Sequence, residues 1–227
     1  MVCGRRVDIH DNTLDNTGVN RTDAGITIQG LGNPVGIPAR VENNTVTGFR
    51  YGVWVKQPVS LDDPPPPHHD IGYNRIRDND EGVQVGWGDG YCPGDPPHGW
   101  NLTEDWGPHP VSAFLHDNVI EGNGIGVNAS AASEPAVLCP NSGPFGGNFS
   151  YTRLHVGRPI LLRNVIANGT EGVRVRAWID NATIDPNDPF FRVAHVDASR
   201  NTIVNQTRGV HLQGVVFTPR PSPQSPG

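Results

Sequence analysis

One motif recurs along the chain and limits what it can fold into: Asn, any residue, Val or Ile, a gap of five residues, then Gly-Val, any residue, and Val or Leu. Four segments match it, beginning at Asn44, Asn74, Asn164 and Asn201 and closing on Gly52-Val53-Trp54-Val55, Gly82-Val83-Gln84-Val85, Gly172-Val173-Arg174-Val175 and Gly209-Val210-His211-Leu212. Two relaxed copies have a different gap: Asn12-Thr13-Leu14 with Gly25-Ile26-Thr27-Ile28, and Asn118-Val119-Ile120 with Gly124-Ile125-Gly126-Val127. Three residues before the asparagines stand Ile9, Val41, Ile71, Leu115, Leu161 and Ala198. Each copy therefore contains three short apolar alternations. They are too short for amphipathic helices, and their period of two is that of half-buried strands. A short strand cannot bury its apolar side alone, whereas stacked copies align equivalent positions into one interior. The expected fold is all-β, a solenoid of about six coils, which at roughly 4.8 Å per coil is about 29 Å long.

Composition agrees and removes other classes. Val and Ile number 25 and 13 against 10 Leu, which disfavours a helical bundle. The 28 Gly and 22 Pro lack a Gly-X-Y period, so collagen is excluded. No apolar run approaches the 18 residues of a membrane span, and Met1–Arg6 lacks the apolar stretch of a signal peptide. With 17 Lys+Arg against 23 Asp+Glu the net charge is −6, which does not suit neutralisation of nucleic-acid phosphates. Neither nucleic acid nor membrane insertion is expected.

The repeat asparagine suits a sharp turn. It tolerates the left-handed region, and its amide can bond backbone or the next copy. The glycine before the last strand is read as releasing a positive-φ constraint. The interior is expected to stack Val53, Val83, Ile125, Val173 and Val210, with Val55, Val85, Val127, Val175 and Leu212 two residues later.

The pattern Asn43-Asn44-Thr45-Val46 … Tyr51-Gly52-Val53-Trp54-Val55, recurring over residues 7 to 214, resembles the right-handed parallel β-helix repeat of the pectate-lyase-like superfamily. That resemblance implies the fold and, less specifically, a carbohydrate-active protein outside the cell or at its surface. The superfamily also includes hydrolases, epimerases, tail spikes and modules without activity, and no catalytic motif of one enzyme family carries over.

The repeat asparagines are 32, 30, 44, 46 and 37 residues apart, so some coils carry insertions. These follow the Gly-Val-x-Val strand at 57–69, 87–111, 129–158 and 178–192, which puts long loops on one edge of the solenoid. Trp87, Trp100 and Trp106 share one loop, as a sugar-stacking platform or as a satellite core. Cys92 and Cys139 lie in adjacent insertions, with a disulfide and two separate thiols both open. The β-helix domain is assigned to 1–217 and a Pro/Ser-rich tail to 218–227. Because Val7–His10 already reads as repeat, the chain is read as part of a longer protein with further domains, or as one lacking its leader and cap.

With Val and Ile inward, the alternate residues of the last strand face outward. In coil order they are Thr27 and Gln29, Trp54 and Lys56, Gln84 and Gly86, Gly126 and Asn128, Arg174 and Arg176, His211 and Gln213. No carboxylate is expected on this face, and the chain's only lysine lies there. Guanidinium binds carboxylate bidentately and indole stacks on sugar, so the expected partner is an acidic, uronate-containing polysaccharide. Trp54, Gln84, Asn128, Gln213, Trp87 and Trp100 are the binding candidates. Cleavage by β-elimination needs a base and a cation for the developing enolate, for which Arg174, Arg176, Lys56 and His211 are available, with Asp89 and Asp95 as ligands for Ca2+. Asp105 and Asp117 add to the carboxylates a hydrolase would need. The pair His68-His69 and the group His98, His109 and His116 are further metal-ligand candidates. The competing expectation is a non-catalytic structural or adhesive repeat module of a larger surface or secreted protein.

Overall fold

The computed structural model describes residues 7–16, 18, 24–28, 38–56, 68–86, 109–133, 154–180 and 196–217. The Trp87, Trp100, Asp89, Asp95, Cys92 and Cys139 candidates, and His98 and Trp106, lie outside them. So do residue 29 and the tail from 218 onward.

Eighteen strands form three parallel sheets of six, one strand of each per coil, which is the arrangement of a parallel β-helix. The first sheet contains β1 (Val7–His10), β4 (Ala39–Glu42), β7 (His69–Gly72), β10 (His109–His116), β13 (Leu154–Leu162) and β16 (Asp197–Ser199). The second contains β2 (Thr13–Asp15), β5 (Thr45–Thr47), β8 (Arg75–Arg77), β11 (Val119–Glu121), β14 (Val165–Ala167) and β17 (Thr202–Val204). The third contains β3 (Ala24–Ile28), β6 (Tyr51–Val55), β9 (Glu81–Val85), β12 (Ile125–Ser133), β15 (Glu171–Asp180) and β18 (Arg208–Phe217). Each sheet presents an aliphatic row to the interior. Val41, Ile71 and Leu115 come from the first, Val46, Ile76 and Ile120 from the second, and Val53, Val83 and Val127 from the third, all with no measurable exposure. Fully burying each such side chain is worth about 1.5–3 kcal/mol.

Two expectations about the third sheet are corrected. Val127, not Ile125, pairs with Val83 and Val173, and Ala129, not Val127, pairs with Val85 and Val175. The spacing explains it: Gly126 follows Asn118 by the same eight residues that separate Gly52 from Asn44, so the fourth coil obeys the strict template with Ala129 in its last position. The expected insertions also contribute regular structure. β12 runs on to Ser133 and pairs antiparallel with the start of β13, Ala131 opposite Val156 and Ser133 opposite Leu154, while β15 and β18 stay paired as far as Asp180 and Phe217.

The turn chemistry differs as well. The left-handed residue is the one before each repeat asparagine: Asp11, Asn43, Tyr73, Asp117, Arg163 and Arg200, with φ between 53° and 57°. The asparagine itself supplies the hydrogen bonds. Asn12, Asn44, Asn74, Asn118 and Asn164 each donate from Nδ2 to the Oδ1 of the next coil's asparagine at 2.9–3.0 Å. That same oxygen also accepts the preceding coil's backbone N–H, as when Asn74 donates to Asn118 at 2.9 Å. Buried turn groups thus find partners along the solenoid axis, where backbone alone would leave them unpaired. A second, shorter file runs from Phe49 N–H to Asn79 and from Asn79 to Asn123.

The repeat glycine needs space rather than positive φ. A Cβ on Gly52, Gly82, Gly126 or Gly172 would lie 2.5–2.6 Å from the carbonyl oxygen of the next coil's glycine. Close coil-to-coil contact at this corner excludes any side chain.

Candidate functional site

The outward row of the third sheet is in register from coil to coil: Thr27, Trp54, Gln84, Asn128, Arg174 and His211. Asn128 thus occupies the place expected of Gly126. Ser130, Arg176 and Gln213 form a second row two residues on. Parallel pairing holds successive side chains one strand spacing apart, about 4.8 Å.

Trp54, Gln84, Asn128, Arg174 and His211 are held by neighbours. Trp54 donates from Nε1 to the Gly86 carbonyl at 3.0 Å, and its ring centroid lies 4.5 Å from that of Tyr51. Lys56 sits over the indole with Nζ 3.3 Å from the centroid, a cation–π contact. Gln84 is fully buried and donates to Ser130 Oγ at 2.6 Å. Asn128 is buried and donates to Glu81 Oε2 at 3.0 Å. The carbonyl oxygens of both amides are buried without a hydrogen-bond partner. Gln84 and Asn128 are therefore structural as well as outward-directed, and Arg176 and Gln213 are half-buried.

The expectation of a carboxylate-free face is overturned at Glu171. Its side chain, only 3% exposed, takes Arg174 Nε at 2.5 Å on Oε2, Arg208 Nη1 at 3.0 Å on Oε1 and His211 Nδ1 at 3.1 Å on Oε2. Arg174 foremost, with His211 assisting, holds this carboxyl down at about 2, against the burial that would raise it. Two guanidinium groups share one carboxylate, so the cluster keeps a positive excess, but its groups are committed to one another. Glu81 likewise reaches the row through Asn128. Both acids were legible: Glu81 and Glu171 each stand immediately before the repeat Gly-Val. Arg174 and His211 thus come together, Lys56 lies with Trp54, and the two groups occupy different coils.

The histidine pair is not a ligand set. His69 is buried in the wall and its Nδ1 accepts the Ala39 N–H at 3.1 Å. His68 faces the opposite side, with Nδ1 2.5 Å from Ser112 Oγ, and burial pushes its imidazole below the ordinary histidine value. Asp117 is a turn residue paired through both oxygens with Arg163 at 2.6 and 2.7 Å, which with His116 holds its carboxyl well below the usual carboxylate range. His116 lies on the outer face of the first sheet, next to acids that the sequence pattern did not single out.

No family model matches the chain, and no curated protein or solved structure matches it.

Proposed function

We propose that the outer face of the third sheet binds an acidic, uronate-containing polysaccharide along the solenoid axis and holds it without cleaving it. The observation that carries this reading is the set of partly exposed outward groups on this sheet, Trp54, Arg174 and His211 in one register file with Lys56, Arg176 and Arg208 beside it, in a protein of net charge −6; the buried Gln84 and Asn128 space that file and are not contacts. A repeating polymer meets a repeating row of polar groups, and a local positive excess suits its carboxylates. The sequence carries no catalytic motif of one enzyme family, which favours binding alone; His211 and Arg174, the candidates for base and enolate stabiliser, are both oriented by Glu171. A β-helix of the pectate-lyase-like kind, acting at or outside the cell surface, accords with this role.

The test is affinity electrophoresis against polygalacturonate, alginate and hyaluronan, with a neutral glucan as control, alongside absorbance of unsaturated uronate product. Retardation by a uronate polymer, weakened by salt and by Arg176→Ala, with no unsaturated product, is the expected result. Equal mobility in every gel would remove the reading, and accumulation of product with or without Ca2+ would replace binding by catalysis.

One observation favours a second reading, a structural repeat module. The interior positions Val210 and Leu212 of the last described coil are 60% and 75% exposed, which suits stacking against another unit. Sedimentation of the protein with and without polymer separates the two readings.

A further inference from the structure

The outer face of the first sheet carries a constellation unrelated to the glycan row. Its register sets Asp8, Arg40, Asp70 and Phe114 in one file and His10, Glu42, Gly72 and His116 in the next. Gly72 matters here, because a Cβ at that position would lie 2.4–2.5 Å from the His116 ring. The imidazole lies in the notch left by that missing side chain, stacked on Phe114 at 4.8 Å between centroids and meeting Tyr73 edge-on at 5.2 Å. In this position Nε2 is 2.9 Å from Asp70 Oδ1, and one ligand atom each of Glu42, Asp70 and His116 lies within 4.8 Å of the others.

We propose that Glu42, Asp70 and His116, one from each of three consecutive coils, bind a divalent transition-metal ion, Zn2+ foremost. Three independent features point there. The first is the donor set: one imidazole nitrogen with two carboxylates selects Zn2+ and its neighbours over Ca2+ and Mg2+, which prefer oxygen alone. The second lies outside the ligands. Asp117 Oδ2 accepts from His116 Nδ1 at 2.9 Å, and Arg163 holds Asp117 with two further bonds. Metal-binding histidines are oriented in this way, with the far nitrogen donating to a carboxylate and the near one left to the ion. The third is access. A cavity of about 270 Å³, lined by Asp8, His10, Asp11, Arg40, Glu42 and Asn43, opens beside Glu42. Arg40, which lines that cavity, ion-pairs with Glu42 at 2.5 Å and must release it for Glu42 to take the ion. Ligand atoms around tetrahedral Zn2+ stand about 3.3 Å apart, so atoms now within 4.8 Å of one another need to close by up to about 1.5 Å. The ion ties three coils together.

Titration of the full chain with Zn2+ against a chromophoric chelator, with thermal melts on the same samples, tests the proposal. One equivalent should bind and raise the melting temperature, and Co2+ should compete. Glu42→Gln and Asp70→Asn, both near-isosteric, should abolish that equivalent, while Asp117→Asn should weaken it about 10- to 100-fold with stoichiometry kept. X-ray absorption of the wild-type Zn2+ complex gives a readout independent of any variant's folding: one imidazole and oxygen ligands are expected. No bound equivalent, stoichiometry unchanged in Glu42→Gln and Asp70→Asn, a shell without imidazole, or Ca2+ competing as well as Co2+ would each overturn the assignment. The glycan assay is unaffected by any of these outcomes.

Discussion

The Nδ2 of Asn118 donates to Asn164 Oδ1 at 2.9 Å, and the same amino group reaches back to the Ile71 carbonyl at 2.8 Å in the preceding coil. Asn118 Oδ1 meanwhile accepts the Asn74 backbone N–H and side-chain amide. One buried side chain therefore serves three coils. Asn118→Ala strands several of these partners, each unsatisfied group costing about 1–3 kcal/mol, so a loss of at least about 3 kcal/mol is expected in urea unfolding. Asn12→Ala, at the exposed first coil, should cost about 1 kcal/mol or less.

Glycine at the repeat corner gives a second contrast. A Cβ on Gly82 would meet the Gly126 oxygen at 2.5 Å and Ile120 Cγ2 at 2.8 Å, whereas on Gly209 its nearest contact is Ile203 Cγ2 at 4.0 Å. Gly82→Ala is expected to lower stability by about 3 kcal/mol, at the upper end for overpacking, because the obstacle is backbone. Gly209→Ala should leave the melting temperature almost unchanged, as calorimetry of the two variants would show.

Acid should act through Glu171. Its folded-state value of about 2 lies below the ordinary 4.5, so its contribution is fully present above pH 4.5 and is lost as the pH falls through about 2. The unfolding free-energy difference between wild type and Glu171→Gln should therefore be largest near neutrality and narrow steadily between those two values. A difference that stays constant across that window would show that the carboxylate is not held by its cations in the folded state.

The same cluster ranks two arginines. Arg174 bonds Glu171 from a site with its side chain 23% exposed, while Arg208 is 59% exposed. Arg174→Ala should cost about 1.5–3 kcal/mol, since it weakens a charge-assisted bond to a buried carboxylate. Arg208→Ala should cost less than about 1 kcal/mol. Denaturant midpoints of both variants, with the slope checked for constancy, decide the order.

Much of the coil was legible because its determinants are local. Alternation of Val and Ile marks the inward faces, and the eight-residue offset from asparagine to glycine marks the third sheet even where Gly124-Ile125 imitates its start. The left-handed positions were harder. Three of them fall on Tyr73, Arg163 and Arg200, residue types that betray no special backbone, where the asparagine that follows supplies bonds that hold the turn.

The chain's own pattern determined that strands form, where each coil's strands start and which side carries the aliphatic interior, since these follow from period-two alternation; how far β12, β13, β15 and β18 extend was decided by pairing between coils. Only stacking decided which outward groups meet. Glu42, Asp70 and His116 are 28 and 46 residues apart along the chain, and neither interval is a property of the repeat, because each includes loop of its own length. Glu171 is three residues from Arg174 but 37 from Arg208 and 40 from His211. Charge neutralisation and ligand convergence depend on distance in space, and in a solenoid that distance is set by the coil-to-coil register, which holds neighbours about 4.8 Å apart whatever lengths of chain intervene.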